Sequence, residues 1–303
     1  MQNSDMDRLV EMITERVAAR LGDMNLGNSS SPPTSNNHCT HGQESCHSCG
    51  QCVVRKSETV NNIINLGASR IVSSSGVSSR VNHKMASMID HTLLKPDASR
   101  EELQKICDEA REYSFATVCV NSANIPFAAR QLRGSGVKPI AVVGFPLGAG
   151  TPQAKAFEAR EAVRNGAEEI DMVINIGAIK SKDYRGAYND ICAVVEASKP
   201  HKVKVILETS NLNNEEKIVA CTLSKTAGAA YVKTSTGFGK GGATIDDIEL
   251  MRKIVGDDME VKASGGIRTK EDADAMVKAG ANRIGASASI AIVTGKKTRT
   301  GTY

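Results

Sequence analysis

Two lysines interrupt apolar segments in the second half of the sequence. Lys233 directly follows the run AAYV, and Lys262 lies in the later run VKASGG. A buried ammonium group is costly unless it is paired or its pKa is shifted. Lys233 is therefore either the solvated end of a strand or an amine that its surroundings hold neutral.

Two neighbouring ammonium groups would give one of these lysines a reactive amine, because like charges a few ångströms apart push one partner toward its neutral form. A neutral amine attacks a carbonyl carbon and forms a Schiff base, which then acts as an electron sink for making or breaking a carbon–carbon bond. Each step moves a proton. Asp171, in the apolar run EIDMVINI, is a suitable carboxylate for that transfer.

From about residue 81, eight short apolar runs alternate with amphipathic helical patterns. The runs are MIDHTLL, FATVCVN, PIAVVGF, EIDMVINI, VKVILET, YVKTST, VKASGG and RIGAS. Eight βα units in about 220 residues predict an α/β fold, a (β/α)8 TIM barrel. A doubly wound sheet is the alternative, but it usually has fewer strands, and no G-x-G-x-x-G follows the first run.

Polar residues lie near the ends of most of these runs, where the active site of such a barrel is found. Strands six and seven are neighbours in a closed barrel, so Lys233 and Lys262 are expected to face each other. Side chains alternate with a period of two, so Ser235 shares the face of Lys233 and Ser264 shares the face of Lys262. Any one of these polar residues could instead mark the point where solvent begins.

Two glycine-rich turns follow the last strands. SGGIRT comes after the seventh run, and GASAS ends the eighth. Turns at these two positions, opening helices, form the usual phosphate site of this barrel, because backbone N–H groups and the helix dipole hold the anion. The sequence thus predicts a small phosphorylated carbonyl compound as substrate.

These motifs extend over nearly the whole of residues 81–303, which resemble deoxyribose-phosphate aldolase, a class I family that joins acetaldehyde and glyceraldehyde 3-phosphate. The segments that carry the resemblance are IDHTLLKP (89–96), ATVCVN (116–121), VVGFPLG (142–148), GAEEIDMVINIGA (166–178), KVILETSNL (204–212), YVKTSTGF (231–238), VKASGGIRT (261–269) and RIGAS (283–287). KTSTGF together with VKASGGIRT is highly specific.

The resemblance implies a role for each matching residue. Lys233 matches the Schiff-base lysine, Lys262 the second lysine that lowers its pKa, and Asp171 the aspartate of the proton relay. The positions that match substrate-binding residues are Asp90 and Thr92 in the first strand and the phosphate-loop residues Gly237, Gly265, Gly266, Arg268, Gly285 and Ser287. No cofactor is expected for catalysis.

The sequence departs from the family at three points. The second of two serines common after the eighth strand is Ala288 here, with Ser289 one place later. Many members have a lysine where this chain has Phe238, and Lys240 follows two residues further on. Some members end in a tyrosine that assists proton transfer, and Tyr303 either does the same or belongs to a frayed tail.

Two other functions fit parts of the pattern. One is another Schiff-base phosphosugar aldolase or a transaldolase on the same barrel. The other is a non-catalytic barrel that carries a metal module into a bacterial microcompartment. The presence of both Lys233 and Lys262 argues against the second, because a barrel without chemistry needs neither.

Residues 26–80 form a polar linker followed by a cysteine-rich segment, CTHGQESCHSCGQC. Its cysteines, Cys39, Cys46, Cys49 and Cys52, contain two overlapping C-x2-C units. Soft thiolates at this spacing suit Zn²⁺ or an iron–sulfur cluster and exclude Mg²⁺ and Ca²⁺. The alternatives are a disulfide framework and disordered or redox-active thiols. Any metal here is expected to be structural or regulatory.

Residues 1–25 predict an amphipathic helix. Its apolar stripe consists of Met6, Leu9, Val10, Ile13, Val17 and Leu21. The helix and its flexible linker resemble the encapsulation peptides that direct enzymes into bacterial microcompartments, which makes a shell protein a candidate partner. The alternative is a helix that packs on its own barrel or on a partner subunit.

The composition excludes several classes of protein. Hydrophobic residues make up 40% and charged residues 24% of the 303 residues, as in soluble globular proteins. A dispersed net charge of +4 argues against nucleic-acid or membrane-surface binding. No run is long enough to span a bilayer, and the N-terminus lacks a secretory h-region. We expect a homo-oligomer in the cytoplasm, with a microcompartment as its possible location.

Overall fold

The computed structural model describes residues 81–295, together with Met12 and Glu15. Met12 and Glu15 are both helical and exposed. The rest of the predicted N-terminal helix, the cysteine-rich segment and Tyr303 lie outside the described residues. No helix in the described part of the chain is long and apolar enough to cross a membrane.

Eight parallel strands close into a barrel in which each strand pairs with its neighbours in sequence and β8 pairs with β1. The strands are β1 Ile89–Leu93, β2 Thr117–Asn121, β3 Lys138–Val143, β4 Glu169–Val173, β5 Lys202–Ile206, β6 Tyr231–Lys233, β7 Glu260–Ser264 and β8 Arg283–Ala286. Five fall within the predicted runs, and β3, β5 and β7 begin one residue earlier. The predicted (β/α)8 barrel is therefore confirmed, and the doubly wound sheet is wrong.

Helices connect the strands on the outside of the barrel. They are α1 His83–Ala86, α2 Arg100–Tyr113, α3 Ile125–Leu132, α4 Pro152–Arg164, α5 Ile176–Lys180, α6 Tyr184–Ser198, α7 Asn214–Thr226, α8 Ile245–Val255, α9 Lys270–Lys278 and α10 Ser289–Thr294. Short 3-10 turns lie at Ser122–Asn124 and Thr209–Asn211.

Capping residues set where the longer helices begin. Ser99 and Glu102 form a reciprocal capping box at the start of α2, and Asn213 with Glu216 does the same at α7. Each box satisfies backbone N–H groups that have no partner within the helix. These short-range signals fix the direction in which the chain leaves the mouth of the barrel.

The apolar residues of the barrel form two groups, because side chains alternate along each strand. Val118 and Val120 point outward and belong to the large cluster between strands and helices. Cys119, between them, belongs to a smaller cluster with Leu94, Ile140 and Val142, against which Phe145 packs. We infer that this smaller cluster lines the interior on the β1–β3 side, so that one wall of the interior is apolar.

Helix α4 holds the ends of the strands on that side through two polar side chains. Lys155, which is buried, donates from Nζ to the carbonyl oxygen of Val173 at 2.9 Å and to Asp190 Oδ2 at 2.6 Å. Glu158 accepts a hydrogen bond from the backbone N–H of Gly144 at 2.8 Å. These contacts fix the C-terminal ends of β3 and β4 relative to each other.

Candidate active site

A buried carboxylate, Asp171 on β4, lies at the centre of the polar half of the barrel. Its Oδ2 is 2.8 Å from Lys233 Nζ and 2.7 Å from Lys262 Nζ. Its Oδ1 is 3.1 Å from Lys204 Nζ. The structure thus brings together Asp171, Lys233 and Lys262, which the sequence predicted, and adds a third lysine.

Strand register explains why these side chains meet. Lys233 on β6 pairs with Lys262 on β7, so the prediction that the two lysines face each other is confirmed. Asp171 on β4 pairs with Lys204 on β5 in the same way. Because all four side chains point into a closed barrel, one carboxylate can reach ammonium groups from three different strands.

Asp90 on β1 is the second buried carboxylate of this cluster. Its Oδ2 is 2.5 Å from Lys262 Nζ, and its Oδ1 is 2.8 Å from Arg283. Thr117 on β2 also donates to Oδ1 at 2.7 Å. Burial alone would raise the pKa of Asp90, but Lys262 and the other cations around it hold that pKa well below its usual range.

A further layer of charge was not predicted as part of the site. Glu169 on β4 contacts Lys204 at very short range and lies 3.7 Å from Arg283. Arg283 also donates to the hydroxyl of Tyr231 at 3.1 Å. A charged residue within an apolar strand was the available signal. The contact between Arg283 and Glu169 needs the closed barrel, because β8 and β4 are not neighbouring strands.

The buried cluster has one more basic group than it has carboxylates. The basic groups are Lys204, Lys233, Lys262 and Arg283, and the carboxylates are Asp90, Glu169 and Asp171. One neutral amine would therefore balance the cluster, which favours the neutral form of the lysine with the weakest pairing.

Lys233 is that lysine. Within the described residues it contacts one carboxylate, Asp171, whereas Lys262 contacts both Asp171 and Asp90. Burial lowers the pKa of Lys233, and repulsion from Lys262 lowers it further, against the attraction of Asp171. For Lys262, the two carboxylates outweigh burial and raise its pKa. Burial would raise the pKa of Asp171, but the three lysines hold it well below its usual range.

The predicted substrate-binding residues lie nearer the mouth. Thr92 is half-buried, and its hydroxyl donates to the backbone carbonyl of Asp90 at 2.8 Å. Gly237, Gly265 and Gly266 have φ values of +86°, +89° and +80°, a region that strongly favours glycine. Arg268 and Ser287 are exposed on the loops after β7 and β8.

The loops after β6 and β7 pack directly on each other. Ala243 N–H donates to the carbonyl oxygen of Gly265 at 3.0 Å. A Cβ on Gly242 would lie 2.4 Å from that oxygen, so only glycine fits there. Gly265 and the loop that follows β6 therefore form one continuous surface at the mouth.

Two details differ from the phosphate site that the sequence predicted. The N–H groups of Arg268 and Thr269 both donate to Asp272 Oδ2, at 3.1 and 3.0 Å, so the start of α9 already has an anionic partner. Gly285 lies within β8 rather than in a turn. A Cβ there would lie 3.0 Å from Lys262 Cε, so Gly285 leaves room for the Lys262 side chain.

Glu208, at the end of β5, is a buried residue that the sequence left without a role. It has a left-handed backbone, with φ +54°, which is uncommon for a residue other than glycine. Its Oε2 accepts hydrogen bonds from Thr236 N–H at 3.1 Å and from Thr236 Oγ1 at 2.5 Å. Glu208 thereby holds the loop that follows Lys233.

Two aromatic rings meet across the mouth. Phe145, after β3, and Phe238, after β6, make an edge-to-face contact with centroids 5.3 Å apart. Since β4 and β5 separate these strands in the barrel, the contact closes part of the opening. The departure at Phe238 thus places an apolar ring where the family pattern has a lysine.

The described residues contain no group of three or more His, Cys, Asp or Glu side chains that could hold a metal ion. Cys39, Cys46, Cys49 and Cys52 lie outside them, so the predicted metal site stays a prediction. The four cysteines of the barrel, Cys107, Cys119, Cys192 and Cys221, are free thiols.

A closed (β/α)8 barrel with a buried, weakly paired lysine among carboxylates belongs to the class of barrel enzymes that work through an amine. Residues 84–299 match the family model described as DeoC/LacD family aldolase. The chain belongs to this family of aldolases. The expectation of an aldolase is confirmed, and that of a non-catalytic barrel is wrong.

Individual relatives agree with this assignment. The chain is 58% identical over 214 residues to deoxyribose-phosphate aldolase of Clostridium perfringens, covering 70% of this chain and 96% of the relative. It is 57% identical over 220 residues to the Streptococcus gordonii enzyme of the same name, covering 73% and 100%. The solved tetrameric deoxyribose phosphate aldolase of Aeropyrum pernix is 33% identical, with a TM-score of 0.66 and coverage of 70% and 90%.

Proposed function

We propose that this chain cleaves 2-deoxyribose 5-phosphate reversibly into acetaldehyde and glyceraldehyde 3-phosphate through a Schiff base on Lys233. The observation that carries this proposal is the unequal pairing of the two facing lysines, since Lys233 has one carboxylate partner and Lys262 has two. The names of the relatives support the choice of substrate.

The first stage forms the iminium. The neutral amine of Lys233 attacks the C1 carbonyl carbon of the open-chain sugar phosphate, and the carbonyl oxygen leaves as water after proton transfers. Asp171 Oδ2, 2.8 Å from Lys233 Nζ, is placed to shuttle those protons. Lys262 stays charged between its two carboxylates and disfavours a proton on Lys233.

The second stage breaks the bond between C2 and C3. Loss of the proton from the C3 hydroxyl lets the bonding electron pair move to C2, which releases glyceraldehyde 3-phosphate and leaves an enamine on Lys233. Protonation of C2 returns the enamine to an iminium, and water then releases acetaldehyde and the free amine. We assign the proton transfers to Asp171, with Lys262 and Asp90 holding its orientation.

We propose that the phosphate binds at the glycine-rich mouth formed by Gly237, Gly265 and Gly266, with Arg268 and Ser287 at its edge. The positive φ values of the glycines support close backbone approach, and exposed Arg268 supplies charge. Gly285 and Thr92 support the substrate site without contacting the phosphate in this proposal. Gly285 leaves space for the Lys262 side chain, and the Thr92 hydroxyl donates to the Asp90 backbone carbonyl.

Borohydride trapping tests the nucleophile. Acetaldehyde with borohydride should add one ethyl group per chain, at Lys233, and the peptide map after mass spectrometry should identify that site. Lys233→Leu should abolish both labelling and cleavage of deoxyribose 5-phosphate. Labelling at Lys204 or Lys262 in the wild-type protein would contradict the assignment. Trapping of a ketose without cleavage of deoxyribose 5-phosphate would favour a transaldolase.

We also propose that residues 38–52 bind about one zinc ion or one iron–sulfur cluster through Cys39, Cys46, Cys49 and Cys52. The overlapping C-x2-C spacing supports this. Elemental analysis and the visible spectrum of protein purified under anaerobic, reducing conditions test it. Four freely titrating thiols with no metal under those conditions would reject the site.

We propose that residues 1–25 bind a microcompartment shell protein through their apolar stripe, placing the enzyme inside the shell. An isolated helix of this length is marginal in water, so the stripe needs a surface to cover it. A fluorescent protein carrying residues 1–25 should co-localise with shells, and Leu9→Glu with Ile13→Glu should abolish this. A diffuse signal in cells that make the cognate shell would reject the proposal.

Finally, we propose that the barrel forms a homo-oligomer. The tetrameric structure named for the Aeropyrum pernix relative supports this, at 33% identity. Light scattering after size-exclusion chromatography should give a mass several times the 32.2 kDa of one chain. A mass equal to one chain at micromolar concentration would contradict it.

A further inference from the structure

Ser235 lies two residues after Lys233 and is fully buried, yet within residues 81–295 nothing hydrogen-bonds its hydroxyl oxygen. Neighbouring hydroxyls are satisfied: Thr234 Oγ1 donates to the Ser264 carbonyl at 2.8 Å, and Ser264 Oγ donates to the Ser235 carbonyl at 2.6 Å. A buried hydroxyl without a partner destabilises a fold and needs an explanation.

The position of Ser235 suggests what its partner is. Ser235 follows Lys233, the last residue of β6, by two residues, which puts it about 6–7 Å nearer the mouth. Ser264 Oγ donates to the Ser235 carbonyl at 2.6 Å, so Ser235 lies beside Ser264, beyond the paired Lys233 and Lys262. The hydroxyl therefore stands on the route between the nucleophile and the mouth.

The other side of Ser235 is bounded by a glycine. The Cβ that Gly265 lacks would lie 3.3 Å from Ser235 Cβ and 3.7 Å from its Oγ. A side chain at position 265 would therefore cover the hydroxyl. Lys233 itself is only 2% exposed, so both residues are shielded from solvent.

We propose that Ser235 is a substrate-binding residue whose hydroxyl hydrogen-bonds an oxygen on the phosphorylated half of the substrate, the half that leaves as glyceraldehyde 3-phosphate. This rests on the proposed function. The substrate carbon bonded to Lys233 lies deep in the barrel, and the rest of the molecule extends past Ser235 toward the glycine turn. In the closed barrel the substrate supplies the partner that the protein does not.

Ser235→Ala separates this role from a structural one. Loss of one hydrogen bond to bound substrate should raise KM for deoxyribose 5-phosphate roughly tenfold, with kcat changed much less. Acetaldehyde has no phosphorylated half, so borohydride trapping of acetaldehyde on Lys233 should proceed at the wild-type rate. Because no group within residues 81–295 hydrogen-bonds the hydroxyl, the melting temperature should stay the same or rise.

Two further variants complete the comparison. Ser224→Ala makes the same change at a fully buried serine on α7, whose hydroxyl donates to the Ala220 carbonyl at 2.7 Å, and should keep the wild-type KM. Thr234→Val removes a hydroxyl that the protein does bond, so its melting temperature should fall.

Three results would overturn the proposal. They are an unchanged KM in Ser235→Ala, an equal loss of acetaldehyde trapping and of cleavage, or a lowered melting temperature in that variant. A wild-type protein that traps acetaldehyde but leaves deoxyribose 5-phosphate intact would instead overturn the proposed substrate, and with it the ligand assigned to Ser235.

Discussion

Lys233 differs from Lys204 and Lys262, the other two lysines around Asp171, in how many carboxylates it contacts. Asp171 contacts Lys233, Lys204 and Lys262, and Lys262 contacts Asp90 as well. Losing the proton from Lys233 leaves Asp171 with two ammonium partners, whereas losing it from Lys262 would leave Asp90 with Arg283 alone among these contacts. The choice of nucleophile thus follows from unequal pairing as well as from repulsion.

The first prediction concerns Lys262→Met. The positive charge of Lys262 lowers the pKa of Lys233, and the attraction of Asp171, which the two lysines share, raises it. Without Lys262 the pKa of Lys233 should therefore increase. Since attack requires the neutral amine, activity should appear only at higher pH, and the acid limb of the kcat/KM profile should move upward. The pH dependence of cleavage measures this.

Lys217→Met is the matched control for that experiment. Lys217 pairs with Asp247 at 2.6 Å, away from the barrel interior, and its loss should leave the acid limb where it is. An active Lys262→Met variant with an unmoved acid limb would show that the two facing lysines are not coupled.

The second prediction concerns the pH dependence of stability. Asp90 has a folded-state pKa well below that of the unfolded chain, so its contribution is complete above about pH 4 and declines as pH falls below that value. Asp90→Asn should lower the free energy of unfolding by about 3 kcal/mol or more at pH 7, because Lys262 and Arg283 lose a buried partner. That difference should shrink by about 1.4 kcal/mol per pH unit below pH 4.

Urea unfolding at pH 7, 4 and 3 measures this difference, with circular dichroism as the probe. Asp97→Asn is the control, since Asp97 is an exposed residue 3.9 Å from Lys95. A stability difference for Asp90→Asn that stays constant from pH 7 to pH 3 would contradict the linkage.

At the scale of strands and helices, local patterns predicted most of the fold. Short apolar runs identified all eight strands, and their order placed Lys233 beside Lys262. The pairing of Glu169, Lys204 and Arg283 could not be predicted, because it depends on barrel closure and on the reach of long side chains. The space that Gly285 leaves for Lys262 is likewise a contact between strands that no local pattern encodes.

The third prediction tests how α4 supports the site. Lys155 and Asp190 form a buried pair, and Lys155 also holds the Val173 carbonyl two residues after Asp171. Lys155→Met should lower the free energy of unfolding by about 3–5 kcal/mol, because Asp190 is left buried without its partner. The double variant Lys155→Met with Asp190→Leu should recover much of that loss, as measured by urea unfolding. Equal losses in the single and the double variant would show that the unpaired Asp190 carboxylate is not the source of the loss.

The whole barrel separates two chemical environments. The interior of β2 and β3 carries the apolar residues Cys119, Ile140 and Val142, and the charged cluster comes from β4 to β8 together with Asp90 on β1. Burial of the thiol raises the pKa of Cys119 to about 11, so it stays neutral beside the charged groups. An apolar wall facing a reactive amine keeps the local dielectric low, which strengthens every charge interaction that sets the pKa of Lys233.

The last prediction is that deletion of residues 1–80 leaves the aldolase intact. Each charged group named in the site lies between Asp90 and Arg283, and 214 residues of this chain already cover 96% of the Clostridium perfringens relative. The truncated protein should therefore keep its melting temperature and its kcat/KM for deoxyribose 5-phosphate within about twofold of the full chain. Parallel assays and thermal melts of the two proteins measure this. A truncated barrel that folds but loses activity would mean that the first 80 residues contribute a group to the chemistry, and one that fails to fold would mean that they complete its core.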